Sequence, residues 1–147
     1  MNLHGLRTTA AAAAAIVGLL GLGAPAGANP GGVPAIPLNT GQEADSVRTG
    51  AGGSFSYTIN GNELCYTLTA RDLSAAATAA HIHIGPRNIA GPVVVPLQVV
   101  SGTDWTVDTC ITASAAVLSA IEASPGAYYV NVHNAVFPGG EIRGQLK

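Results

Sequence analysis

Charge is scarce in this chain: only 10% of its 147 residues are Asp, Glu, Lys or Arg, and aromatic residues make up 5%. Six basic side chains are dispersed singly among eight acidic ones, for a formal net charge of −2. Gripping a nucleic-acid backbone or an anionic lipid surface takes clustered Lys and Arg, so the composition argues against both as partners. Enzyme signatures are missing too. Gly50-Ala51-Gly52-Gly53 and Gly139-Gly140 lack the Lys and helix that follow a phosphate cradle, and they read as turns. Ser54 lacks the second glycine of a nucleophile elbow. Asp104 and Asp108 would lie about 13 Å apart along a strand, too far for a pair of glycosidase carboxylates. The chain reads as a non-enzyme.

Long apolar runs are equally rare. The one that exists, Ala10 to Leu22, follows Arg7 and precedes Ala26-Gly27-Ala28. At about 13 residues it falls short of the ~20 that a membrane-spanning helix needs. A positive start, a short apolar stretch and a small-residue exit predict a secretory signal over residues 1–28, cleaved after Ala28. No cysteine lies near that point to take a lipid. The expectation is a secreted protein that leaves the membrane after cleavage. Residues 29–37, rich in Pro and Gly, read as a leader, and residues 38–147 have the size of one domain.

Cysteine is limited to Cys65 and Cys110. One pair in an exported chain predicts a disulfide, because oxidising compartments let such bonds persist.

Alternation dominates the rest. Phe55, Tyr57 and Ile59, then Leu64, Tyr66 and Leu68, each alternate with small polar residues around Asn60-Gly61, predicting a tight hairpin. With the turn at Asn60-Gly61, Tyr57 would face Leu64 and Phe55 would face Tyr66, all on one side. The same parity puts Cys65 and Cys110 on the opposite side, outside the main core. Further strands are expected near 80–85, 92–100 (an edge or bulge at Pro96), 104–111, 126–133 and 140–146. One short helix at 114–123 carries Val117, Leu118 and Ile121 at helical spacing, with Ser114 as cap and Pro125-Gly126 as stop. Of Tyr128 and Tyr129, one should be core and the other exposed. The pattern predicts an all-β antiparallel sandwich or flattened barrel.

Every histidine outside the predicted signal falls on a strand. His81 and His83 share a face, and the spacing His-X-His lets two imidazoles reach one metal ion. If Val132 meets Ile142, the same face sets His133 opposite Glu141 and Asn131 opposite Arg143. His81, His83 and His133 then form a candidate site for one copper or zinc ion, with Glu141 as fourth ligand or as an acceptor behind a ring. Their ring nitrogens must converge to within about 3–4 Å to share an ion. The competing reading is structural: the histidines hydrogen-bond backbone carbonyls, and Asn131, Glu141 and Arg143 form a buried polar network that fixes register, with no cofactor. The His-X-His strand is also similar to that of copper-zinc superoxide dismutase, although three histidines are too few for its two-metal site.

Gln42-Glu43, His81-Ile82-His83 before Gly85-Pro86, Gly91-Pro92, Asn131-Val132-His133 and Pro138 to Gly144 together resemble the CHRD domain, the module repeated in chordin and found in many secreted bacterial proteins. The likeness spans about Leu38 to Lys147 and departs from the family pattern at Ala44-Asp45, where Val-Pro-Pro is usual. It implies an extracellular β-rich interaction or structural module whose partner is an extracellular protein or cell-surface component.

Overall fold

The computed structural model describes residues 34–45 and 47–147, so the expected signal at 1–28 and the leader up to residue 33 lie outside the described residues. Eight strands run in the order β1 (Ile36–Asn39), β2 (Gly52–Asn60), β3 (Glu63–Arg71), β4 (Ala77–Ile84), β5 (Val93–Leu97), β6 (Trp105–Thr112), β7 (Tyr128–Asn134) and β8 (Ile142–Gln145), with one helix, α1 (Ala115–Ala123), between β6 and β7. They form one antiparallel sheet in the order β5-β4-β7-β8-β1-β2-β3-β6, curled into a flattened half-barrel. The leader is shorter than its composition suggested: Ile36 and Pro37 belong to β1, where they pair with Phe55 and Ser54 of β2.

The β2–β3 hairpin keeps the expected faces but not the expected partners. Its two-residue turn is Gly61-Asn62, because Asn60 pairs with Glu63, and the strands therefore match Phe55 with Leu68, Tyr57 with Tyr66 and Ile59 with Leu64. Gly61 has φ +61° and Asn62 is not left-handed. That is the requirement of a turn with glycine at its first central position, whereas a turn at Asn60-Gly61 would force Asn60 into the left-handed region as well. Moving a two-residue turn by one position slides each partner by two, so side-chain parity survives.

Phe55, Tyr57, Leu64, Tyr66 and Leu68 are all buried, and the Phe55 ring lies 5.6 Å from Tyr57 and 5.7 Å from Tyr66. Burying each such side chain is worth about 1.5–3 kcal/mol. The Tyr hydroxyls stay satisfied at the core's edge: Tyr57 donates to the Lys147 carbonyl (3.1 Å) and Tyr66 accepts from the Gln98 N–H (2.8 Å). Leu118 and Ile121 of α1 join the same core. Ser114 caps the helix with its carbonyl, which takes the Leu118 N–H at 2.9 Å, and not with its side chain as expected.

Cys65 and Cys110 sit directly opposite each other on β3 and β6 and are disulfide-bonded. Cys65 is half-buried and Cys110 exposed, so the bridge lies outside the core. Pro96 lies on β5, an edge strand of the sheet, where its missing N–H costs no ladder bond. All seven residues of β7 are buried. Tyr128, Val130 and Val132 face the core, and the alternate residues face a layer of loops on the other side of the sheet.

Candidate metal centre

That second face collects the chemistry. Antiparallel register sets His81 opposite Asn131, His83 opposite Tyr129 and Ala79 opposite His133, and beyond β7 it sets Asn131 opposite Arg143. His81 and His133 are thus diagonal neighbours, close enough for their rings to touch. The His81 ring centroid lies 4.9 Å from that of His133 and 5.4 Å from that of His83. One ring nitrogen from each of the three falls within 4.8 Å of the other two, a looser convergence than the expected ~3–4 Å, which the His81–His133 pair meets at 3.1 Å.

Hydrogen bonds fix which nitrogens are free. A carbonyl only accepts, so His83 must carry a proton on Nδ1 to donate to the Gly91 carbonyl (2.8 Å), and His133 must carry one on Nδ1 to donate to the Pro138 carbonyl (3.0 Å). Their lone pairs are therefore on Nε2. His81 Nδ1 lies 3.1 Å from His133 Nε2 and donates to it. His83 Nε2 is buried and has no partner. Nε2 of His83 and Nε2 of His133 therefore carry lone pairs, whereas Nδ1 of His81 carries a proton here and offers a lone pair only when that proton moves to its own Nε2; all three rings are neutral. Burial pushes the His133 pKa down to about 4, with the neighbouring histidines adding to the fall. Burial lowers His81 and His83 as well. Donation of the far ring N–H to a backbone carbonyl is the outer support that orients metal-bound histidine and sharpens its basicity.

Glu141 does not belong to this group, contrary to the expectation of a fourth ligand or a ring acceptor. It lies one residue before β8, and its wholly buried carboxylate turns to the loops over the sheet end. There it accepts the Thr49 hydroxyl (2.8 Å), the Ser74 N–H (3.0 and 3.1 Å) and the Asn134 side-chain amide. The expected Asn131, Glu141 and Arg143 network is therefore split. Arg143 is fully buried. It donates to the Pro86 carbonyl (2.6 Å) and the Ile89 carbonyl (2.9 Å), and its guanidinium carbon sits 3.2 Å from the centre of the Tyr129 ring. Alternation predicts one of Tyr128 and Tyr129 in the core and the other exposed, but both are buried, Tyr129 on the face away from the core. It stacks on His83 at 4.8 Å and 8°, and its hydroxyl accepts the Gly91 N–H at 3.0 Å.

The acid that does reach this layer is Glu43. Gln42 anchors its segment by donating to the Pro37 carbonyl (3.3 Å) and accepting from the Gln145 N–H (3.2 Å). The Glu43 carboxyl then packs beside Asn131 and Gly140, where a β-carbon on Gly140 would come within 2.5 Å of a Glu43 oxygen and 2.6 Å of Asn131 Nδ2. Gly140 also has φ +124°, so glycine is required there twice over. The only sequence signal for Glu43 was its place in the Gln42-Glu43 motif.

Burial raises the Glu43 pKa to about 7, against a smaller lowering by Arg143 and Asn131. In the folded chain it keeps a proton that the unfolded chain releases above 4.5. Its contribution to stability is complete below pH 4.5 and is lost as pH rises through 7. His133 runs the other way: its contribution is complete above 6.5 and is lost as pH falls through about 4. Glu43→Gln deletes the first dependence and leaves the second. Between pH 4.5 and 6.5 the unfolding free energy of the metal-free variant should climb with pH more steeply than that of the wild type, by about 1 kcal/mol per pH unit. Urea unfolding at pH 5.0, 5.5, 6.0 and 6.5 checks this, and parallel slopes would mean that Glu43 ionises normally.

A family model described as CHRD domain matches residues 35–146. No curated protein and no solved structure matches the chain.

Proposed function

The chain belongs to the CHRD domain family, and from that premise we propose that it is a secreted, non-enzymatic module whose working feature is a three-histidine centre for one copper or zinc ion. One observation carries this reading: His83 Nε2 is buried with no hydrogen-bond partner, on a ring that brings a nitrogen within 4.8 Å of one from each of two other neutral imidazoles. A purely structural role for these histidines accounts for the two carbonyl bonds and the His81–His133 contact but leaves that atom unsatisfied, at a cost of about 1–3 kcal/mol. An ion bound to all three nitrogens satisfies it. Imidazole ligation suits copper and zinc.

Export is supported by the signal-like N-terminus, by the disulfide between Cys65 and Cys110 and by the extracellular setting typical of the family. No helix among the described residues is long and apolar enough to cross a membrane. The interaction or structural role that the family implies supports a binding function, with an extracellular protein or cell-surface component as partner.

Elemental analysis tests the proposal. Protein made without an affinity tag, exposed to copper or zinc and then desalted, should retain one equivalent, and the His81→Ala His83→Ala variant should retain none while keeping the wild-type far-ultraviolet circular dichroism. A wild-type protein without metal, or a folded variant that retains it equally, would overturn the reading.

A further inference from the structure

We infer that this centre is built for monovalent copper and discriminates against divalent ions, with Arg143 as the residue that sets the preference. The inference rests on the metal reading above and narrows it to one ion. The ligand set itself brings no charge. Among the described residues, no carboxylate or thiolate shares the cluster with His81, His83 and His133. Glu141, the acid that sequence parity aims at the site, spends its oxygens on Thr49, Ser74 and Asn134. Zinc bound here would have to recruit water or another ligand to complete its usual four, whereas copper(I) is stable with three nitrogen donors.

The fixed charge stacked beside the site is positive. Tyr129 links the Arg143 guanidinium, 3.2 Å from its ring centre, to the His83 ring, 4.8 Å from the same point. A cation therefore stands within about 8 Å of a ligand ring. It cannot swing away, because the carbonyls of Pro86 and Ile89 hold its terminal nitrogens. Glu43, the acid near Arg143, lies beside Asn131 and is only partly ionised near neutral pH, since burial raises it to about 7. A unit charge about 8 Å from the ligand ring, and up to about 11 Å from an ion bound to that ring, acting through an effective dielectric near 20, disfavours each added positive charge on the ion by a factor of roughly 10–30. A dication meets that penalty twice and copper(I) once.

Competition measurements on the full chain test the assignment: copper(I) against a bicinchoninate chelator under anaerobic, reducing conditions, and zinc(II) against a chromogenic chelator. The wild type should bind copper(I) at least about 10-fold more tightly than zinc(II). Arg143→Gln, which keeps an amide donor for the loop carbonyls, should narrow the copper(I) to zinc(II) ratio about 10- to 30-fold and lower the reduction potential of the copper-loaded protein by about 60–90 mV. Arg143→Lys, which keeps the charge, should preserve both.

Zinc(II) bound as tightly as copper(I) by the wild type would overturn the inference and leave the three-histidine centre standing, whereas failure to bind either ion would remove both. A ratio unchanged in folded Arg143→Gln would remove Arg143 as its cause. Should that variant not fold, the wild-type ratio decides for or against selectivity, and Glu43→Gln, which removes the acid that partly offsets Arg143, should widen the copper(I) to zinc(II) ratio, an unchanged ratio removing the local charge as its cause.

Discussion

Replacing Glu141 by Ala should cost the fold about 4 kcal/mol, a large share of the net stability of a small domain, typically ~5–15 kcal/mol. The side chain is inaccessible to solvent, and its two oxygens accept the Thr49 hydroxyl, the Ser74 N–H and the Asn134 amide. Thr49 and Ser74 lie in separate loops and Asn134 ends β7, so one carboxylate ties the crossings from β1 to β2 and from β3 to β4 to the end of β7. Truncation strands all three, each costing roughly 1–3 kcal/mol if it stays buried, with relaxation toward water recovering part of the sum. Glu141→Gln should lie between the two, because its amide keeps one acceptor but presents donors to Asn134 and Ser74. Equilibrium urea unfolding measures the difference. A loss under 1 kcal/mol in the Ala variant would mean that water replaces the carboxylate without cost.

Removing the disulfide should have a similar effect through the unfolded state. Cys65 and Cys110 are separated by 45 positions in sequence, and in the loop-closure model a cross-link over that span removes unfolded-chain entropy equivalent to about 4 kcal/mol. The bridge joins β3 to β6, an edge strand otherwise held by ladder bonds, by a hydroxyl contact between Thr69 and Thr106 (3.0 Å) and by the packing of Trp105, Val107 and Ile111. Cys65→Ser Cys110→Ser should therefore lower the melting midpoint by about 15 °C while leaving metal binding at the far strands β4 and β7 intact. Differential scanning calorimetry, with metal content determined on the same samples, checks both halves. A midpoint shift below 3 °C would mean that the unfolded chain is already compact around this pair.

The sequence made side-chain parity legible and left long-range choice illegible. Period-two alternation put Phe55, Tyr57, Leu64, Tyr66 and Leu68 on one face, and His81 and His83 on another, because each strand obeys it locally. It could not choose between Asn60-Gly61 and Gly61-Asn62 as the turn, since both preserve parity. Alternation also stops where strands stop. Glu141 is one residue outside β8, so its backbone carries it to the Ser74 loop and away from the histidines. Glu43 arrives from a segment nearly ninety positions before Asn131, and its seat exists only because Gly140 leaves room for it.

Tyr129 is buried although alternation points it away from the core, because the 85–92 segment covers that face of the sheet and Gly91 meets both its hydroxyl and the His83 ring. The His81, His83 and His133 cluster was foreseeable because strand spacing and one cross-strand register generate it. The identity of its free nitrogens was not, since loop carbonyls at Gly91 and Pro138 decide it.

X-ray absorption at the copper edge of protein carrying one equivalent tests the three-histidine centre most directly. The account predicts a first shell of three imidazole nitrogens near 2 Å, with the outer-shell scattering of three rings, falling to two in His83→Ala. A shell dominated by oxygen, or one that His83→Ala leaves unchanged, would contradict it.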